Sequence, residues 1–224
     1  MPTDRNAQVR HDVASTATSM LDLRVQVAPD SPVLLHQHEA MGARPFAEGV
    51  VQYLVARTAT ASRPISPGEI ERRGWDLEAA WSSAWALTRT LEQPSESNVI
   101  DTGRADLHHL YSAHEFGASF VPFLDDALAD SAPLGDHGAV VSFPMRHSVL
   151  IHPISGGEVI DAIQAMIPIT RQTHQTGPES VSAHLYWWQC GHLTWIPTYY
   201  GRDGIEFYPP TEFADLIDAI DNVI

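Results

Sequence analysis

Apolar positions along this chain fall into short alternating runs in some places and into stripes of helical period in others. Leu23–Val27 alternates like a strand, and Pro32–Leu35 reads as a second short one. Phe46, Val50, Leu54 and Arg57 lie on one helical stripe with Val51 and Val55 beside it, which predicts a helix over Phe46–Arg57. Thr58–Pro64 is a linker of mostly small residues. Ser66-Pro67-Gly68-Glu69 is a capping box with proline at the first helical position, so a short helix, Pro67–Arg73, should end at Gly74. Asp76 caps a second helix, Leu77–Glu92, whose apolar face holds Leu77, Ala80, Trp81, Ala84, Trp85, Thr88 and Leu91. Pro94–Asn98 ends it.

The second half reads differently. Residues 107–112 predict a strand and Ala118–Ala129 a helix. Ala139–Phe143 and Val149–His152 predict two strands joined by Pro144-Met145-Arg146-His147. A helix starts near Glu158, and Pro168 should kink or end it. Val181–Gln189 and His192–Pro197 flank Cys190-Gly191, a tight hairpin signal. Ile205–Tyr208 is a further strand, and Thr211 caps a last helix with Phe213, Leu216, Ile217 and Ile220 inward. The pattern predicts an α+β fold: a mostly antiparallel sheet flanked by helices, with all strands after residue 139 in one sheet. Residues 1–45 read as an arm with short strands. Residues 46–224 read as a single domain in which 46–98 forms a helical lobe.

Composition sharpens this picture. The chain has 224 residues, 44% of them hydrophobic, enough for a sizeable core. The first twenty residues show no apolar block after a basic start, so no secretory signal is expected and the cytoplasm is the expected compartment. The net charge is −15. Residues 101–224 carry four arginines against sixteen acids, a net of −12, whereas the first hundred carry −3. Such a surface repels phosphate backbones, which argues against nucleic acid and anionic membranes; it either serves solubility alone or steers toward a basic protein or a cationic ligand. All 13 basic residues are arginine. Without lysine there is no Schiff-base, lysine-base or P-loop chemistry. The single cysteine, Cys190, excludes an internal disulfide and a multi-cysteine metal cluster.

Candidate chemistry is sparse. The twelve histidines include His36/His38/Glu39, His108/His109/His114/Glu115 and His147/His152, but no HExxH order. His36 and His38, if on a strand, would share a face. Ser142 and Ser148 lack the glycines of a nucleophile elbow. Gly156-Gly157 precedes a helix without a GxGxxG pattern or a Walker lysine, and Glu158 there opposes a phosphate. No metal or cofactor is therefore expected, and no catalytic set is assigned. Arg146 and His147, with His114 and Glu115, are the candidates for a pocket in which a base and an anion clamp converge. Trp187, Trp188, Tyr199 and Tyr200 crowd one hairpin region. The adjacent tryptophans must point to opposite faces of a strand: either both are core, or, if no helix covers one face, one is an exposed hot spot. Asp215, Asp218 and Asp221 fall near one stripe of the last helix.

Three segments in order, ISPGEIERRGWDLEAAWSSAWALTRTL (65–91), HEFGASFVPFLDDAL (114–128) and GAVVSFPMRHSVLIHP (138–153), resemble the YtpQ-like family of bacterial proteins. The resemblance spans residues 65–153. Arg89-Thr90-Leu91 stands where that family's helix would end on an Asn-Leu pair, and His114 or Glu115 where an Asp is expected. What the resemblance implies is a fold, and it also picks out the Arg146 turn. The function expected on these grounds is a non-catalytic interaction module, such as an immunity or antitoxin-type inhibitor of a basic partner. The alternative is an enzyme or small-ligand-binding protein with a pocket at Arg146, His147, His114 and Glu115.

Overall fold

A computed structural model describes residues 18–58, 61–129, 133–201 and 204–221, with 200, 201, 204, 205 and 221 described by their backbone alone. The fold is α+β, with antiparallel sheets flanked by helices. The first sheet joins β1 (Leu23–Pro29), β2 (Arg44–Ala47), β3 (Val50–Arg57) and β4 (Ser62–Pro64), with β3 between β1 and β2 and β4 also on β3. The second sheet holds β5 (Glu96–Asp101), β6 (Asp106–Tyr111), β7 (Ala139–Met145), β8 (Ser148–Pro153), β9 (Leu185–Gln189) and β10 (His192–Ile196), in the order β10-β9-β7-β8-β6-β5.

Segment 46–57, expected as a helix, is instead the β2–β3 hairpin. Its valines satisfy either period, and Gly49 at φ 72 supplies the left-handed turn that folds the chain back. Pro32–Leu35 is likewise no strand. It opens a 3-10 turn (Pro32–Leu34) that leads into α1 (Leu35–Met41), where His36 and His38 lie on a helix. His36 sits by Glu39 at 3.6 Å, while His38 is buried, 3.8 Å from Asp30. β5, which begins within the stretch expected only to end a helix, was not foreseen.

Two helices form where the caps said they would. Ser66 accepts from the Glu69 N–H at the start of α2 (Pro67–Arg72), and Asp76 accepts from the Ala79 N–H at the start of α3 (Leu77–Leu91). Ala80, Trp81 and Ala84 of α3 pack against Leu23, Val25 and Leu54 of the first sheet. Trp85 turns toward Phe46 and Phe123, and Leu91 is exposed instead of facing inward.

The central strands of the second sheet, β7, β8 and β9, are buried on both faces. The segment 118–128, a 3-10 helix (Ala118–Phe123) running into α4 (Leu124–Leu128), covers one face through Val121, Leu124 and Leu128. α5 (Val159–Thr176) covers the other through Ile163, Met166 and Ile167, and it continues past Pro168 rather than ending there. The β9–β10 hairpin turns at Cys190 (φ 48) and Gly191 (φ 81), the left-handed pair that a two-residue turn requires. β12 (Gly204–Phe207) does not join this sheet as expected. It pairs with β11 (Thr198–Gly201) in a separate ribbon, which α6 (Thr211–Asp221) follows. Pro210, not Thr211, caps α6, its carbonyl accepting from the Phe213 and Ala214 N–H groups.

Gly138 opens β7 at φ 72, where an added Cβ would lie 2.0 Å from the Trp188 carbonyl oxygen. Gly74 has a similar φ of 70 but open space around it. Gly138→Ala should therefore cost about 3 kcal/mol or more in urea unfolding, against about 1–2 kcal/mol for Gly74→Ala. Equal costs would show that the close approach is not rigid. A pH dependence follows from Glu69, whose carboxyl is lowered from 4.5 to about 2 by its hydrogen bond to Arg63, with Arg73 adding to it. A depressed carboxyl stabilises the fold above its unfolded value and loses that stabilisation as pH falls toward 2. Glu69→Gln should lower stability at pH 7 and shrink the difference from wild type across that window.

Candidate functional site

One face of the first sheet carries a row of polar residues that alternation turns away from α3: Arg24 and Gln26 on β1, Tyr53 and Arg57 on β3. Residues 112–117 cross this face. Phe116, fully buried, plugs it against Ala28, Val51, Tyr53 and Val55. Gly117 passes so close that a Cβ would meet Ser112 Oγ at 2.8 Å and the Arg146 carbonyl at 2.9 Å, and the Ala118 N–H donates to that same carbonyl. The β7–β8 turn, which presents Arg146 and His147, is thereby fastened to the crossing segment.

The structure brings Arg146, His147, His114 and Glu115 together. Arg57, Ser62, His114, Glu115, Phe116 and His147 are among the residues that line an open cleft of about 310 Å³; Arg146 is not a lining residue but pairs with Glu115. Glu115 Oε2 accepts from Gln26 Nε2 at 2.8 Å and lies 3.7 Å from Arg146, while Oε1 accepts from the Ser62 hydroxyl. Arg146 also reaches Glu179 at 3.1 Å. The Tyr53 hydroxyl donates to Gln26 at 2.8 Å, and burial pushes its pKa up, with the Arg146 charge opposing.

Behind His114 lies a residue that the sequence reading left at a helix end. Glu92 has no exposed surface and takes both the Arg24 Nε (2.7 Å) and Arg57 on its Oε1. Among the described residues its Oε2 has no hydrogen-bond partner, and it sits 3.6 Å from His114 Nε2. The only sign of it in the sequence was an acid following the last turn of an amphipathic helix, which is ordinarily solvent-facing.

Hydrogen-bond arithmetic limits what this cluster can do. His114 Nδ1 accepts from the Phe116 N–H, which leaves the ring proton on Nε2, facing Gln93 O at 3.4 Å and Glu92. His147 places Nδ1 3.1 Å from the Ser112 carbonyl and Nε2 3.2 Å from Glu179. Both rings and both Glu115 oxygens are thus engaged by protein groups, and the cluster fastens the first sheet to the β7–β8 turn. Ser148 Oγ and His109 Nε2 are 2.8 Å apart, a nucleophile–base distance, but Ser148 is buried between strands. Among the described residues no group of three His, Cys, Asp or Glu side chains has metal-holding geometry, and no helix is long and apolar enough to cross a membrane.

The remaining candidates scatter. Neither tryptophan is exposed: Trp187 packs on Phe213 of α6 (ring centroids 5.3 Å) and Trp188 on the opposite core. Both are core, the first of the two alternatives, because helices cover both faces of the sheet here, and neither is an exposed hot spot. Tyr199 is exposed and meets Tyr208 edge-on at 5.5 Å. Asp215 and Asp218 are exposed on α6. The side chains of Tyr200 and Asp221 lie outside the described residues. No protein-family profile, no curated protein and no solved structure matches this chain.

Glu92→Gln leaves Arg24 buried without its counter-charge and should cost about 3 kcal/mol. Arg24→Met combined with Glu92→Met should cost less than the sum of the two single changes, by about 1 kcal/mol or more in urea melts. Additive costs would mean the pair is not coupled.

Proposed function

We propose that this protein is a non-catalytic interaction module that captures a basic protein, in the manner of an immunity or antitoxin-type inhibitor, in the cytoplasm. One observation carries the reading: exposed acids gather at one end of the second sheet. β6 begins there, β8 ends there and β7 begins there, since His108 pairs with Ile151 and Ala139 with Pro153. Asp101 and Asp106 face each other at that end, Asp136 precedes β7 and Glu158 precedes α5, all four exposed. Arg104 at the same end is itself paired with Asp161 at 3.5 Å. α6 adjoins this rim, because Trp187, on which Phe213 packs, donates its Nε1–H to the carbonyl of His137. A field of this sign attracts a basic surface and repels nucleic acid.

The YtpQ-like resemblance belongs to the same proposal. Its three segments correspond to α2–α3, the 118–128 helical segment and the β7–β8 hairpin; Trp85 of the first meets Phe123 of the second, and the second and third share one core that includes Val121 and Val141. A second reading, a cleft that binds a small polar ligand, is favoured by the unpartnered Oε2 of Glu92 behind the cleft wall. Such a ligand should shift the His114 and His147 ring resonances, and a fragment screen that moves neither removes this reading.

The main reading is tested with a partner recovered by affinity purification and then measured by surface-binding kinetics. Association should slow steeply as salt rises from about 50 to 500 mM, with little change in dissociation. Asp101→Asn, Asp106→Asn and Asp136→Asn together should lower the on-rate about tenfold at low salt. An on-rate indifferent to salt and to these changes would leave the charge as a solubility device.

A further inference from the structure

The two edges of the second sheet differ. β10 lies against β2 of the first sheet. β5 has no strand paired to its outer side among the described residues, and five of its six residues are exposed. Thr102 N–H donates to Ala105 O at 3.2 Å, and the antiparallel alternation running back from this pair turns the backbone groups of Ser97, Val99 and Asp101 outward. These are unpaired donors and acceptors in strand geometry, beside an apolar side chain, Val99, that is 55% exposed.

We propose that β5 is a docking edge, to which an extended basic segment of the partner adds as a seventh strand. This names the site for the basic partner argued above and rests on that reading. Charge selects the occupant. β5 carries Glu96 and Asp101 and no basic residue, with Asp106 alongside. A second copy of the same edge would therefore set acids against acids, whereas arginine or lysine on an incoming strand neutralises them. Room for a long side chain exists: an open groove of about 530 Å³ runs beside the strand, lined by Glu96, Asn98, His109 and Tyr111 among others. Burial lowers the His109 pKa, which favours the neutral ring and leaves Glu96 as the charge of that groove. Backbone pairing supplies affinity in such strand addition, and flanking pockets supply specificity.

The test uses the full chain, isotope-labelled, and a capped eight-residue peptide of alternating arginine and valine. Amide exchange at Ser97, Val99 and Asp101 should slow about tenfold or more in the peptide's presence. The same peptide with its pairing amides N-methylated should give no protection. Val99→Pro should abolish saturable binding; because the Val99 N–H points outward, the fold loses no ladder bond. Glu96→Gln with Asp101→Asn provides a second variant, expected to weaken binding about tenfold. Saturable binding that survives Val99→Pro, or that protects no β5 amide, overturns strand addition while leaving a basic partner at the acidic rim. An absence of salt-dependent binding anywhere on the chain overturns both.

Discussion

A buried carboxylate holds the first layer of this protein in register. Glu92, at the end of α3, takes Arg24 of β1 and Arg57 of β3 on one oxygen, so helix and sheet cannot slide without exposing a buried charge. The same logic repeats beside it: Glu115 on the crossing segment is held by Gln26, Ser62 and Arg146, which ties the first sheet to the β7–β8 turn of the second. Each group is polar and mostly buried, and each answers another.

That arrangement decides how the charges divide. The arginines of the first half are largely engaged by acids: Arg24 and Arg57 by Glu92, Arg44 by Glu78, Arg63 and Arg73 by Glu69, Arg89 by Asp126. The acids of the sheet end, Asp101, Asp106, Asp136 and Glu158, stay exposed. Topology thus sets four of the chain's acids together at one end of the second sheet, where their fields add. Function in this account follows from where antiparallel strands happen to begin and end.

Much of the fold was legible along the chain, and the exceptions are physical. Caps were read correctly at Ser66 and Asp76 because a side-chain oxygen three residues before an amide is a local signal. The hairpin at Cys190-Gly191 was legible for the same reason. The β2–β3 hairpin was not, because a valine-rich strand buried on both faces loses its alternation and fits a helical stripe as well. At the site, Arg146, His147, His114 and Glu115 were picked out, yet Glu92 was not, since burial of an acid depends on two arginines that are 68 and 35 residues away. The tryptophans were half legible: their opposite orientation follows from alternation, but nothing local says that α5 and α6 cover one face and residues 118–128 the other.

In the proposed function the inner charges fasten the layers while the outer acids meet the partner. The most direct measurement is a chemical-shift map of the labelled chain titrated with an arginine-rich peptide at low salt. The account predicts shifts confined to the sheet end and its edge, at Asp101, Asp106, Asp136, Glu158 and along β5, that vanish as salt is raised. Shifts centred on Arg57, His114 and His147, with the sheet end silent, would contradict it and move the function to the cleft.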